Sequence, residues 1–139
     1  MAISQAFCTS AKLGFLSGTY APLTDTMKIA LYTSTATLDA TTTAYSTTNE
    51  VVGTGYTAGG NTLAGAAISS ASGTAWITFS DSSWTTATIT ARGALIYDSS
   101  KSNAAIAVLD FGSDKTSTAG TFTVQMPVAA AATALIRIA

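Results

Sequence analysis

The stretch Thr85-Thr86-Ala87-Thr88-Ile89-Thr90-Ala91-Arg92-Gly93-Ala94-Leu95-Ile96-Tyr97 is rich in β-branched residues, which favour extended backbone in a pleated sheet. Asp98-Ser99-Ser100 follows it directly, and this cluster is typical of a turn. The pair Arg92-Gly93 predicts a β-bulge, because a glycine inside a strand often marks irregular pairing. The stretch therefore predicts a long strand over residues 85–97 with one irregularity.

Similar runs, separated by turn-forming clusters such as Gly112-Ser113-Asp114, occupy the rest of the second half of the chain. They predict strands at residues 62–69, 74–79, 104–111, 121–126 and 134–138. Nearer the N-terminus, alternation of Met27, Ile29 and Leu31 with other residues predicts a half-buried strand over residues 26–33. Regularly spaced short strands are typical of an antiparallel β-sandwich or barrel, so we expect a mainly β fold.

The inward faces of these strands supply the predicted core, because alternate side chains of a strand share one face. Its members are Ile29, Leu31, Ile77, Phe79, Ile89, Leu95, Ile106, Val108, Phe122, Val124 and Ile136.

The N-terminal segment carries a helical periodicity. Apolar residues recur every four positions at Ile3, Phe7, Ala11 and Phe15. Ser4 can serve as the N-cap, and Gly18 follows as a stop signal. We expect one short N-terminal α-helix over residues 4–16.

Residues 34–61 form a long segment that is first threonine-rich and then glycine-rich. Loops longer than about 12–15 residues are uncommon in compact domains unless they have a function. The glycines at positions 53, 55, 59 and 60 match neither the dinucleotide nor the P-loop spacing, so we interpret them as a device for unusual backbone angles. The segment predicts a long surface loop that acts as a contact arm.

The composition favours a chain that folds and whose surface is covered by neighbouring proteins. At 139 residues, the chain has the size of a single domain, 1–139. Only 9% of its residues are charged, against roughly 25% in typical globular domains. The mean hydropathy is +0.38, which excludes the composition of disordered chains. Short hydroxyl side chains lose little conformational freedom when a partner buries them, so we expect extensive contacts, including contacts between copies of the chain.

Charge and length also exclude several kinds of partner. A net charge of −1, with six scattered basic residues, offers no electrostatic footprint for nucleic acid or an anionic membrane surface. The longest apolar stretch, residues 126–139, is shorter than the roughly 20 residues that span a bilayer. A lone cysteine, Cys8, cannot form an internal disulfide, which fits synthesis in a reducing cytoplasm; we interpret it as a small buried apolar group.

The chain has no histidine, so the commonest general base and the commonest transition-metal ligand are both missing. Ser99 or Ser100 beside Lys101, and Ser113 near Lys115, are the candidate Ser-Lys pairs. Both lie in polar turns where solvation keeps a lysine protonated, so we interpret them as turn residues.

The two acidic residues Asp110 and Asp114 are close in sequence, but two carboxylates do not make a calcium site, and we assign them to turns as well. We therefore expect no catalytic residue, no cofactor, no metal site and no small-molecule substrate.

Trp76 and Trp84 are the two tryptophans of the chain. Their rings could stack on sugars as a host-glycan platform. Packing in the core or at an interface is the interpretation we favour, because large rings anchor both kinds of contact.

Several long phrases resemble one family of small structural proteins of tailed bacteriophages. They are Lys28-Ile29-Ala30-Leu31-Tyr32-Thr33-Ser34, Thr47-Thr48-Asn49-Glu50-Val51, Gly53-Thr54-Gly55-Tyr56-Thr57-Ala58-Gly59-Gly60, Thr88-Ile89-Thr90-Ala91-Arg92-Gly93-Ala94-Leu95-Ile96-Tyr97, Ala107-Val108-Leu109-Asp110-Phe111-Gly112 and Ile136-Arg137-Ile138-Ala139. The resemblance spans nearly the whole chain and implies a virion protein.

Taken with the low charge, the resemblance favours a decoration or cement protein that binds the major capsid protein or other virion proteins and reinforces the head shell. A tail, collar or fibre-base component, or a host-glycan-binding module, are the alternatives. The predicted interface residues are Phe7, Phe15, Val51, Tyr56, Asn61 and Trp84.

Overall fold

A computed structural model describes residues 2–139, which form two antiparallel sheets and one short helix in a sandwich-like arrangement. The mainly β fold is thus confirmed, with 48% strand and 6% helix. The elements are β1 (Ala6–Phe7), α1 (Thr9–Leu16), β2 (Met27–Tyr32), β3 (Asn61–Thr62), β4 (Ala67–Ala71), β5 (Thr74–Thr78), β6 (Ser82–Asp98), β7 (Ala104–Val124) and β8 (Ile136–Ile138).

The larger sheet has the strand order β1-β7-β6-β2-β3, and the smaller sheet has the order β4-β5-β8. The long hairpin β6–β7 is the backbone of the larger sheet and turns at Asp98, as the cluster Asp98-Ser99-Ser100 predicts. A register shift lies between Ala91 and Gly93, where a bulge was predicted, but the expectation of one irregularity is wrong, because the pairing shifts at three other places as well.

The predicted break at Gly112-Ser113-Asp114 is wrong as a boundary between strands. Ala91 pairs with Lys115 and Gly93 with Asp110, so Arg92 stands opposite a bulged segment of β7, residues 111–114. Asp110 stabilises this bulge, since its Oδ1 accepts hydrogen bonds from Arg92 Nε at 3.2 Å and from the Gly112 N–H at 2.9 Å. The chain keeps its direction through the bulge, so the predicted strands 104–111 and 121–126 are two parts of the single strand β7.

All eleven predicted core residues are buried, and Ile77 is the most exposed of them at 8%. The expectation of a half-buried first strand is wrong, however. Ala30 and Tyr32, on the face that we expected to meet solvent, are as buried as Ile29 and Leu31. The reason is that the long loop 34–60 folds back over this part of the sheet.

The N-terminal helix is shorter than predicted. Ala6 and Phe7 pair with Val108 and Ala107 as strand β1, so the helix begins only at Thr9, and Cys8 is its N-cap residue. Ser4 does not cap the helix, and its N–H donates to the Leu38 carbonyl. Pairing with a distant strand therefore overrides the local four-residue period.

The predicted strand 62–69 is divided between the two sheets. Asn61–Thr62 pairs with β2 and Ala67–Ala71 pairs with β5. Between them, Gly65 adopts a φ of 68°, where a Cβ would collide with the side chain of Ser80. This glycine lets the chain pass from one layer to the other. Within residues 2–139, no helix is long and apolar enough to cross a membrane.

Candidate functional site

One surface depression is a strongly apolar groove of about 380 Å³ between the smaller sheet and the N-terminal region. Its walls are Phe7, Phe15, residues 20–24, Ile68, residues 75–77, Ile136 and Ile138. Ile68, Ile77 and Ile136 stand directly opposite one another in register, so they share one face of the smaller sheet. We call this depression the apolar groove.

Large apolar side chains at the groove remain open to solvent. Leu23 is 60% exposed, Ile68 50% and Ile138 53%. A second, smaller depression shares Phe7, Phe15 and Ile138 with the groove and adds the exposed Leu16. The two depressions therefore form one continuous apolar surface, of the kind that marks contact sites on small proteins.

The predicted interface residues Phe7 and Phe15 both lie at this surface. Their rings pack edge to face with centroids 5.8 Å apart, and Phe15 packs in the same way on Tyr20 at 5.5 Å. The Lys12 ammonium lies 5.8 Å from the centroid of the Phe7 ring, a distance at which a cation is attracted to the ring face. The structure thus brings these two predicted residues together.

Val51 and Trp84, two other predicted interface residues, lie in the core instead. Trp84 is 4% exposed and packs between Tyr56, at 5.9 Å, and Phe122, at 6.2 Å. Val51 is buried as well, and its N–H donates to the Leu31 carbonyl. For Trp84 this agrees with the favoured interpretation of packing in the core or at an interface, and a ring buried in this way cannot take part in the alternative sugar platform.

Tyr56 and Asn61, the remaining predicted interface residues, are half-buried and anchor the long loop. The Tyr56 hydroxyl accepts the Leu31 N–H at 2.9 Å, and so satisfies a donor at the edge of β2. The Asn61 amide donates to Ser82 Oγ at 3.1 Å and to the Ser83 carbonyl at 2.9 Å.

A buried carboxylate, Glu50, holds the loop together, and sequence reasoning missed it. Its Oε1 accepts a hydrogen bond from the Tyr45 hydroxyl at 2.6 Å, and its Oε2 accepts from the Tyr56 hydroxyl at 2.6 Å and the Gly59 N–H at 2.8 Å. Burial, followed by the nearby Glu50 charge, raises the pKa of Tyr45 and Tyr56. The Tyr97 hydroxyl donates to the Gly59 carbonyl at 2.7 Å, and its ring stacks on Tyr45 at 4.6 Å. We call these residues the Glu50 cluster.

A second buried carboxyl, Asp98, lies at the end of β6. Its Oδ1 accepts hydrogen bonds from the Ser100 N–H at 3.0 Å and the Ser100 hydroxyl at 2.5 Å. No N–H or hydroxyl of residues 2–139 donates to its Oδ2. Burial first, and then the neighbouring Asp25 carboxyl, raise the pKa of Asp98, whereas the Ala21 N–H first lowers the pKa of Asp25. Two carboxyls can bond to each other only when one keeps its proton.

The hydroxyl groups of Ser99 and Ser100, two of the candidate catalytic serines, form hydrogen bonds that stabilise the turn. The Ser99 hydroxyl donates to the Thr26 carbonyl at 2.9 Å, and the Ser100 hydroxyl accepts the Thr26 N–H at 3.1 Å. Cys8 is fully buried, as predicted, and burial raises the pKa of its thiol to about 11. Among residues 2–139, no three acidic, cysteine or histidine side chains come together as a metal site.

Comparisons with family models, with curated proteins and with solved structures find no match to this chain. The resemblance to phage structural proteins therefore stays a prediction that rests on the quoted phrases.

Proposed function

We propose that this protein is a non-enzymatic structural component of a tailed-phage virion that decorates the head shell and binds the major capsid protein. The single observation that supports this most is the apolar groove with its exposed rim, in a chain of which only 9% is charged. The resemblance of the quoted sequence phrases directs the proposal to phage particles.

Covering this rim is favourable in energetic terms. Fully burying a leucine or isoleucine side chain contributes about 1.5–3 kcal/mol, and Leu23, Ile68 and Ile138 each keep half or more of their surface to bury. Their neighbours at the groove are mostly apolar or small, so a partner meets few desolvation penalties there. Several such residues per copy, repeated by the symmetry of a shell, add up to a large stabilisation.

Binding to assembled particles is sufficient to stabilise them. A protein that binds the assembled shell but not free subunits shifts the equilibrium by about 2.7 kcal/mol per site when its free concentration is 100 times its Kd. This mechanism needs no bond to be made or broken, and it depends only on the shape and apolarity of the contact surface.

The test is to add the purified chain to shells of the phage that encodes it and to image them by electron microscopy. We expect extra density over the whole head. Leu23→Glu, which places a charge at the groove, should lower occupancy about tenfold or more, because a buried unpaired charge is strongly unfavourable.

Val52→Glu is the matched control. Val52 is 95% exposed, apolar and lies on the predicted contact arm rather than in the groove. If only Val52→Glu lowers the occupancy, the shell contacts the arm rather than the groove, and the role of the groove is contradicted. Density only at the tail or collar would contradict the head assignment, and no density anywhere on the particle would contradict the virion role itself.

A further inference from the structure

We propose that two copies of this chain pair edge to edge through strand β4, so that the smaller sheets of the two copies join into one six-stranded sheet. The proposal rests on the exposed edge of β4, which has no charged residue and can pair with the same edge of a second copy. The inference rests on the proposed assembly role, in which copies of the chain meet, and it names where they meet.

Among residues 2–139 the two sheets end in four edge strands, β1, β3, β4 and β8. β1 and β3 are two residues long and β8 is three, whereas β4 is five residues long and every one of them is exposed. Edge strands are normally protected from pairing by charges, proline, bulges or shortness. Ala67–Ala71 has none of these, because its sequence is Ala-Ile-Ser-Ser-Ala and its register with β5 is unbroken.

The turn after β4 determines which backbone groups are free. Ser72 and Gly73, with φ of 53° and 81°, form a two-residue turn, and Ala71 pairs with Thr74 across it. In such a hairpin the two residues that flank the turn exchange both of their main-chain hydrogen bonds. Because this pattern alternates along a strand, the N–H and C=O groups of Ile68 and Ser70 point away from β5, towards the open edge.

A second copy of the same strand satisfies these four groups. When a twofold axis passes through Ser69, antiparallel pairing places Ile68 opposite Ser70 of the second copy, and Ser70 opposite Ile68 of the second copy. Each pairing forms two main-chain hydrogen bonds. All free edge groups of both strands are thus paired, without bringing any charges together.

The same geometry covers apolar surface. Ile68 is half exposed and lines the apolar groove, and a twofold axis at Ser69 places the two Ile68 side chains as diagonal neighbours on that face. A pairing of this size buries less than the roughly 1,000 Å² of most specific interfaces. We therefore expect a weak dimer in dilute solution that becomes populated when copies are held close together on a larger assembly.

Disulfide trapping tests the register directly. The two copies of residue 69 form a non-hydrogen-bonded pair, whose Cα atoms lie about 4.5 Å apart, within the range that a disulfide can bridge. The purified Ser69→Cys protein should therefore form a covalent dimer under mild oxidation. Cys8 is fully buried and does not compete.

Ser70→Cys is the matched control, because Ser70 is equally exposed on the same strand but its two copies lie roughly 8 Å apart in this register. We expect Ser69→Cys to link about ten times faster than Ser70→Cys, because only the first pair fits disulfide geometry. Adding Ser70→Pro to Ser69→Cys removes an outward N–H and should slow linking, whereas adding Ser70→Ala should not.

Circular dichroism and thermal melting of each variant confirm that it is folded before the rates are compared. Equal linking of Ser69→Cys and Ser70→Cys, or no linking of either in folded protein, would overturn the proposal. Because the trapping uses isolated protein, its failure is separate from a failure to bind phage shells.

Discussion

Glu50 and Asp98 show how single polar residues organise this charge-poor chain. The Glu50 carboxylate is 6% exposed, and all its hydrogen bonds come from residues within its own loop. Asp98 is fully buried, but its Oδ2 accepts no hydrogen bond from the described residues. The first residue accepts hydrogen bonds that stabilise the native loop, whereas burial and the Asp25 carboxyl raise the pKa of the second.

Asp98→Asn should stabilise the protein at neutral pH. The pKa of Asp98 is raised in the folded state. The contribution of the protonated side chain to the free energy of unfolding is therefore complete only below the ordinary pKa of about 3.9, and it is lost as the pH rises through the raised pKa. An asparagine has nearly the same shape but no carboxyl that must ionise in a buried position as the pH rises. We expect a gain of about 1 kcal/mol at pH 7, or roughly 3–4 °C in Tm, that shrinks towards zero near pH 4.

Asp110→Asn is the opposite control in the same melting series. Its hydrogen bond from the Gly112 N–H, and then its ion pair with Arg92, lower the pKa of Asp110. The contribution of the Asp110 carboxylate to the free energy of unfolding is therefore present above its ordinary pKa and is lost as the pH falls. The variant should be less stable than the wild type at pH 7 and equal to it in acid. A pH-independent effect of Asp98→Asn would contradict the raised pKa of Asp98.

At the scale of elements, the long loop is a structural layer of the fold. Thr54 forms an antiparallel bridge with Thr88 of β6, and Gly60 passes directly over the Ile29 carbonyl of β2. The loop also packs against the outer face of β2, where the Tyr32 hydroxyl donates to the Ser46 carbonyl at 2.6 Å, so this strand is buried on both faces. The glycines that sequence reasoning assigned to unusual backbone angles serve this close approach, since Gly55, Gly59 and Gly60 all have positive φ.

Gly60→Ala should be strongly destabilising. Its φ is 73°, and a Cβ would collide with the Ile29 carbonyl and lie 2.9 Å from the Ala30 Cα. Gly73→Ala is the matched control, because Gly73 has a similar φ of 81° but no atom near its missing Cβ. Urea unfolding should show a loss of about 1–2 kcal/mol for Gly73→Ala, from backbone strain alone, and at least about 3 kcal/mol for Gly60→Ala. Equal losses would mean that the loop moves away from β2 without penalty.

Much of the element pattern could be predicted because it is local. Alternation marks β2 and the strands of the second half, and every predicted core residue is buried. Two of the failures, the length of the helix and the break in β7, share one physical cause, which is pairing between distant residues. Ala6 pairs with Val108, and this pairing overrides the four-residue helical period of the N-terminal segment. Strand β7 stays continuous through its bulge because it is paired with β6 on both sides of the bulge. The Glu50 cluster has no periodic signature either, and only the groove residues Phe7 and Phe15 of the candidate site were predicted from sequence.

For the whole molecule, the same non-local pairing predicts slow folding. The larger sheet forms only when the N-terminal β1 meets β7, about a hundred residues away in sequence, and chains dominated by such contacts fold in milliseconds to seconds. Trp84 is buried between aromatic rings, so its fluorescence reports on the formation of the core. Stopped-flow refolding of Trp76→Phe, which leaves Trp84 as the sole tryptophan, should show a main phase in this range. A main phase faster than about 100 μs would contradict the expectation.

The Glu50 cluster also fixes one end of a segment into which a foreign peptide could be inserted. The Glu50 cluster and the Val51 N–H hold the chain before Val52, and the bridge from Thr54 to Thr88 holds it just after, while Val52 itself points into solvent. Lengthening a loop between two fixed ends adds little closure entropy, about 0.6 kcal/mol for each doubling. An epitope inserted beside Val52 would therefore be displayed on the surface of the folded chain.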